Sequence, residues 1–155
     1  MTQSAIAPVL FHLAFPVGNI KDTKSYYVDG LGCEPGRQND HCLIMKLYGH
    51  QLVAHVTQDP LVPQKSIYPR HFGLVFLAET DWQNLCDRIE EKQISFYQRP
   101  RIRFEGSPLE HKTFFLEDPF HNLIELKFYR HTEAIFGAQE HQTIGDLPLA
   151  TAPSV

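Results

Sequence analysis

In RHFGLVFL, residues 70–77, the run His71–Leu77 reads as a strand. Phe, Leu and Val dominate it, and the polar run Glu79-Thr80-Asp81 closes it. A single histidine, His71, stands at its head. Downstream, Thr80 or Asp81 is a candidate cap for a helix over Trp82–Lys92, in which Trp82, Leu85 and Ile89 recur at helical spacing. Ile94–Tyr97 and the basic strip Arg99, Arg101, Arg103 follow, then strand-like runs at Thr113–Leu116 and Leu123–Tyr129. The last two are joined by the turn Glu117-Asp118-Pro119-Phe120-His121-Asn122. The order is β-α-β-β-β.

Upstream of a Pro-rich connection, DPLVPQKSIYP (59–69), the order has already occurred once. VLFHLAFPV (9–17) is a strand containing His12, and Asp22 or Thr23 caps a helix over 22–28 with Tyr26 and Tyr27 facing inward. Gly30-Leu31-Gly32 ends that helix, and His41–Tyr48 and Gln51–Thr57 flank the tight turn Gly49-His50. Laying HLAFPV over HFGLVF sets His12 on His71. Laying GHQLVAHV over FHNLIELK sets Glu125 on Ala54, or on His55 if one residue is inserted. These readings divide the chain into an N-terminal extension (1–8), modules at about 9–58 and 70–129 joined by the linker 59–69, and a C-terminal part (130–155). The last is expected to form a short helix near Glu133–Phe136 and to end in a flexible tail of about a dozen residues.

Composition narrows the function classes. At 155 residues the chain suits one domain, and 14 basic against 18 acidic residues leave a formal charge of −4. That balance offers no cationic surface for nucleic acid or an anionic membrane. The longest apolar stretch, Gly73–Ala78, is far shorter than the roughly 20 residues of a membrane span, and no signal-like start is seen, so a cytoplasmic protein is expected. Cys33, Cys42 and Cys86 form no CxxC and cannot all pair, which suits a reducing compartment.

The chemistry is expected from His12, His71 and Glu125. Each lies in an apolar strand, where an unsatisfied imidazole or carboxylate is costly. Two imidazoles and one carboxylate can hold a divalent metal with positions left for substrate, a set favoured by Fe(II) and accepted by Mn, Ni, Co or Zn. The plainer alternative is two core histidines bonded to backbone and a glutamate at the rim.

On FHLAFPV, RHFGLVF and TFFLEDPFHNLIELK, in that order and spacing, the chain resembles the vicinal oxygen chelate superfamily, which includes glyoxalase I, extradiol dioxygenases and bleomycin-resistance proteins. The resemblance covers roughly Val9–Tyr129. It implies an α+β single domain, with two paired βαβββ modules forming an open, U-shaped mixed sheet around a metal, and His12, His71 and Glu125 as the ligands. It also implies a small-molecule substrate held through neighbouring oxygens. Two departures stand out: Phe115 lies where extradiol dioxygenases carry a tyrosine, and His121 lies where their turn has a small residue.

Four further residues complete the expectation. His55 is a fourth ligand or a proton-transfer group in one register and faces helix or solvent in the other. Arg101 and Arg103 are candidates to clamp a substrate anion, with a solvated sheet edge as the alternative. Phe115 is expected to line the cavity, and His111 to reach its mouth or remain at the surface. The reaction is expected to be dioxygenase-like, with a glyoxalase-like isomerase or lyase, or a ligand-sequestering module without turnover, as alternatives. A homodimer is expected, because such modules pair within or between chains.

Overall fold

Alternation of apolar and polar side chains builds the first sheet, and the computed structural model describes it within residues 8–146. Strand β1 (His12–Val17) buries Phe15 and Val17 and exposes His12, Ala14 and Pro16. It pairs in parallel with β4 (His50–Val56), which pairs antiparallel with β3 (Cys42–Leu47), and β2 (Glu34–Gln38) forms the edge. The sequence reading lacked β2, all of whose residues are exposed and which contains Pro35 and Gly36.

Between β1 and β2 the chain is helical in two ways. Helix α1 (Ile20–Thr23) is capped by Asn19, whose side chain accepts from the Asp22 N–H at 2.7 Å, rather than by Asp22 or Thr23. It continues as a π-helical turn, Lys24–Gly30, that directs Tyr26 and Tyr27 toward the other half of the chain.

The second module repeats the plan. Strand β5 (Phe72–Phe76) pairs in parallel with β8 (Leu123–Tyr129), followed outward by β7 (His111–Glu117) and β6 (Phe96–Arg103). Helix α2 (Glu79–Glu91) buries Trp82, Leu85, Cys86 and Ile89. It starts earlier than the Thr80 or Asp81 cap would allow; its N-cap, Ala78, makes no side-chain bond, and Glu79 and Asp81 in the first turn complement the helix dipole instead. Helix α3 (Glu133–Phe136) forms where a short helix was expected. The flexible tail expected after it falls largely on residues 147–155, outside the described residues.

Each module makes its own four-stranded mixed sheet, and the two share one core. Phe15, Val17, Tyr27, Leu43 and Met45 from the first half join Phe76, Trp82, Leu85, Phe114 and Leu126 from the second. The joint is also polar. Asp118, buried in the β7–β8 turn, accepts from the Tyr27 hydroxyl (2.6 Å), the Phe120 and Asn122 N–H groups and the Asn122 amide. Arg88 returns the connection by donating to the carbonyls of Gly30 and Asp29. With one face of each sheet buried against the other half, the opposite faces look outward.

Candidate functional site

The outer face of the second sheet is where titratable groups converge. Alternation on β8 puts Glu125, Lys127 and Tyr129 on this face, and the register with β7 adds Phe115, Thr113 and His111. His71, just ahead of β5, is held by its Nδ1–H donating to the Ile67 carbonyl at 2.7 Å. That bond fixes the tautomer and leaves Nε2 to face the Glu125 carboxylate, 3.0 Å from Oε2. The other carboxylate oxygen, Oε1, accepts from the Thr113 hydroxyl at 2.9 Å. The Lys127 ammonium stands 3.6 Å from Oε2.

The electrostatics follow from this geometry. The Glu125 hydrogen bond raises the His71 pKa above its ordinary value, against the opposing effect of burial. Burial pushes Glu125 upward, but His71, Lys127 and Thr113 outweigh it and hold the carboxyl below its ordinary range. Facing each other, Nε2 and Oε2 favour a proton or a cation between them. Gly73, directly opposite Glu125 in the parallel pair, makes this approach possible, since any Cβ there would overlap the Glu125 carbonyl oxygen.

A cavity of about 510 Å³ opens over the pair, walled by Phe115, His111, Arg103 and Tyr68 and covered by the segment from α3 to Gly145. Phe115 meets the His71 ring edge-on at 5.1 Å and presents an apolar ring to the cavity. His111 is buried, not at the surface, between the rings of Phe104 and Tyr129, with Nδ1 bonded to the Leu109 carbonyl. Burial lowers its pKa, so it is neutral at physiological pH. Arg103 enters the cavity wall. The strip divides, because β6 shifts register between Gln98 and Arg101, leaving Arg99 over the Phe96 ring.

The first sheet departs from expectation. His12 is exposed on its outer face, with Nδ1 2.7 Å from Gln51 Oε1. It does not join His71 and Glu125, and among the described residues no three His, Cys, Asp or Glu side chains converge as a metal-binding group. Within one chain the three residues expected as a ligand set are therefore split, His71 and Glu125 together and His12 apart. Register also corrects the alignment of the halves. Ala14 pairs with Val53 as Gly73 pairs with Glu125, so the counterpart of Glu125 is Val53, not Ala54 or His55. His55, two residues further on, is exposed opposite Pro16 and Cys42 and does not line the cavity, which removes the geometry expected for a proton-transfer role there. Thr113, which holds Glu125, and Lys127 and Tyr68, which line the cavity, are site residues that sequence reasoning missed. Period-two spacing from Phe115 and Glu125 marks the first two, whereas nothing local marks Tyr68.

Comparison with known proteins agrees with this architecture. The family model described as glyoxalase/bleomycin resistance protein/dioxygenase superfamily matches residues 9–126. A glyoxalase/bleomycin resistance protein/dioxygenase from Alicyclobacillus acidocaldarius is similar in crystal structure, with 37% identity, 83% of this chain and 96% of that one covered, and a TM-score of 0.78. Two more distant structures share the fold alone. Lactoylglutathione lyase from Agrobacterium tumefaciens is 15% identical, covering 81% and 96% of the two chains at a TM-score of 0.56. An integron cassette protein from V. cholerae is 20% identical, covering 81% and 98% at 0.55. A search of curated proteins found no match. The chain belongs to the glyoxalase/bleomycin resistance protein/dioxygenase superfamily. No helix among the described residues is long and apolar enough to cross a membrane.

Proposed function

We propose that this chain is a metal-dependent enzyme of the glyoxalase/dioxygenase type that holds a small substrate through two neighbouring oxygens, dioxygenase-like in its donor count. The observation that carries the reading is the His71–Glu125 pair. One imidazole nitrogen is pinned by backbone, and the other is aimed at a carboxylate whose second oxygen is itself held. His71, Glu125 and the exposed His12 of a second copy would hold the metal, so the functional unit is a homodimer. A divalent metal, Fe(II) by the two-imidazole, one-carboxylate count or Mn, Ni, Co or Zn, supplies Lewis acidity toward paired substrate oxygens. The chain's own residues fix the donors through Ile67 and Thr113, offer a cation in Lys127, and exclude water with Phe115. Because Phe115 has no hydroxyl, a glyoxalase-like isomerase or lyase on a hydroxy-carbonyl compound is the second reading. The two-donor half-site favours a third, a ligand-sequestering module without turnover.

Elemental analysis of protein purified anaerobically without tag or chelator tests this. The expectation is about one transition metal per chain, lost in both His71→Ala and Glu125→Ala. Oxygen uptake with a catechol under iron then separates the dioxygenase from the isomerase. A wild-type protein that neither contains nor takes up metal overturns the enzyme reading in favour of sequestration.

A further inference from the structure

At the cavity mouth, the chain binds its own carboxylate. Asp146, at the end of the covering segment, places Oδ1 2.5 Å from Arg103 Nη2 and 3.8 Å from Arg101 Nη2, and Oδ2 accepts from the Tyr68 hydroxyl at 3.2 Å. The Asp146 N–H donates to the same hydroxyl at 2.9 Å. Gly145 makes the approach possible. It has φ +64°, and a side chain there would crowd the Tyr68 hydroxyl.

The pairing is lopsided. The Arg103 side chain is 9% exposed and that of Asp146 50% exposed, so a buried guanidinium takes its counter-charge from a strand-free surface segment. Among the described residues Asp146 is the only carboxylate paired with Arg103. If the segment lifts, a fork of donors remains in the cavity wall without its anion, a state that strongly favours another carboxylate. Tyr68 connects this place to the candidate chemistry, with its ring centroid 6.4 Å from that of His71. One small molecule can therefore address both.

We propose that Arg103 and Tyr68, flanked by the Arg101 guanidinium 3.8 Å from Asp146, form a carboxylate subsite at the cavity mouth, which Asp146 fills as a built-in surrogate until a substrate carboxylate displaces it. The proposal rests on the reading that this cavity is the substrate site. It narrows the substrate to a small molecule that carries a carboxylate in addition to its neighbouring oxygens.

Calorimetric titration of metal-free full-length protein with 3,4-dihydroxybenzoate and with catechol isolates the carboxylate. Wild type is expected to prefer the acid. Asp146→Asn is expected to bind the acid about tenfold more tightly than wild type, the scale of one charge-assisted hydrogen bond, with catechol unchanged. Arg103→Gln is expected to erase the preference, and Arg103→Lys to restore part of it, which separates loss of the subsite from loss of folding. On adding the acid to wild type, amide exchange over 133–146 should accelerate. Equal affinity of wild type and Asp146→Asn for the acid, a preference that survives Arg103→Gln, or no binding of the acid to Asp146→Asn each overturns the proposal. Metal content of the same preparations is read separately. Carboxylate preference without metal uptake keeps the subsite and removes the enzyme reading, and metal uptake without preference does the reverse.

Discussion

His111 carries a charge question that its neighbours answer. Buried between two aromatic rings and donating to a backbone carbonyl, it is neutral in the fold but takes a proton in the unfolded chain below its ordinary value of 6.5. Its pKa is depressed on folding, so its contribution is fully present above 6.5 and is lost as pH falls below that value toward the folded pKa. Urea unfolding at a series of pH values should show this. Below pH 6.5, stability of wild type is expected to fall more steeply than that of His111→Gln, the slopes differing by up to about 1.4 kcal/mol per pH unit, one proton's worth. Parallel curves for the two proteins would contradict a neutral His111. The same attention to single positions explains His121, which adopts φ +70° in the turn after Asp118. A side chain at such a left-handed position bears strain that glycine would not.

At the scale of elements, the close contact of β5 with β8 sets the site. A methyl group at Gly73 has no room against the Glu125 carbonyl, so Gly73→Ala must part the two strands or bend one of them. The expected result is a loss of more than about 3 kcal/mol in urea unfolding and loss of bound metal. The matching Ala14→Gly in β1 should leave metal content unchanged. Most elements were legible because their side chains report burial. His71–Leu77 is rich in Phe, Leu and Val, and Leu123–Tyr129 in Leu, Ile and aromatic residues, for the same reason that they lie over a core. Strand β2 was not legible, since an exposed edge leaves no apolar record. Nor was the π-helical turn, whose extra residue serves Tyr26 and Tyr27 contacts with a turn ninety-one positions away. In the site, His71 and Glu125 were legible as polar residues in apolar strands. Val53 was not, because pairing halves by letters is blind to which residues sit across a ladder.

For the whole molecule the question is how the halves meet. Both inner sheet faces share one core, and within the chain His12 stands apart from His71 and Glu125. Sequence alone cannot choose between this and side-by-side pairing, because the same apolar faces satisfy either. A mixing experiment decides whether a second copy completes the site. His12→Ala and Glu125→Ala, each expected to lack metal alone, should recover about a quarter of wild-type content after co-refolding, the statistical share of intact sites in a two-fold dimer. No recovery would show that His12 does not act across chains.

The segment joining the halves has a bearing on inheritance. Surface connections usually absorb insertions and deletions freely. This one ends on the Ile67 carbonyl that orients His71 and on the Tyr68 hydroxyl that meets Asp146. A residue gained or lost near its end would turn an imidazole and shift an anion site together. Descendants of this protein are therefore free to change the tip of the connection near Asp59 but are bound to keep its last turn at fixed length.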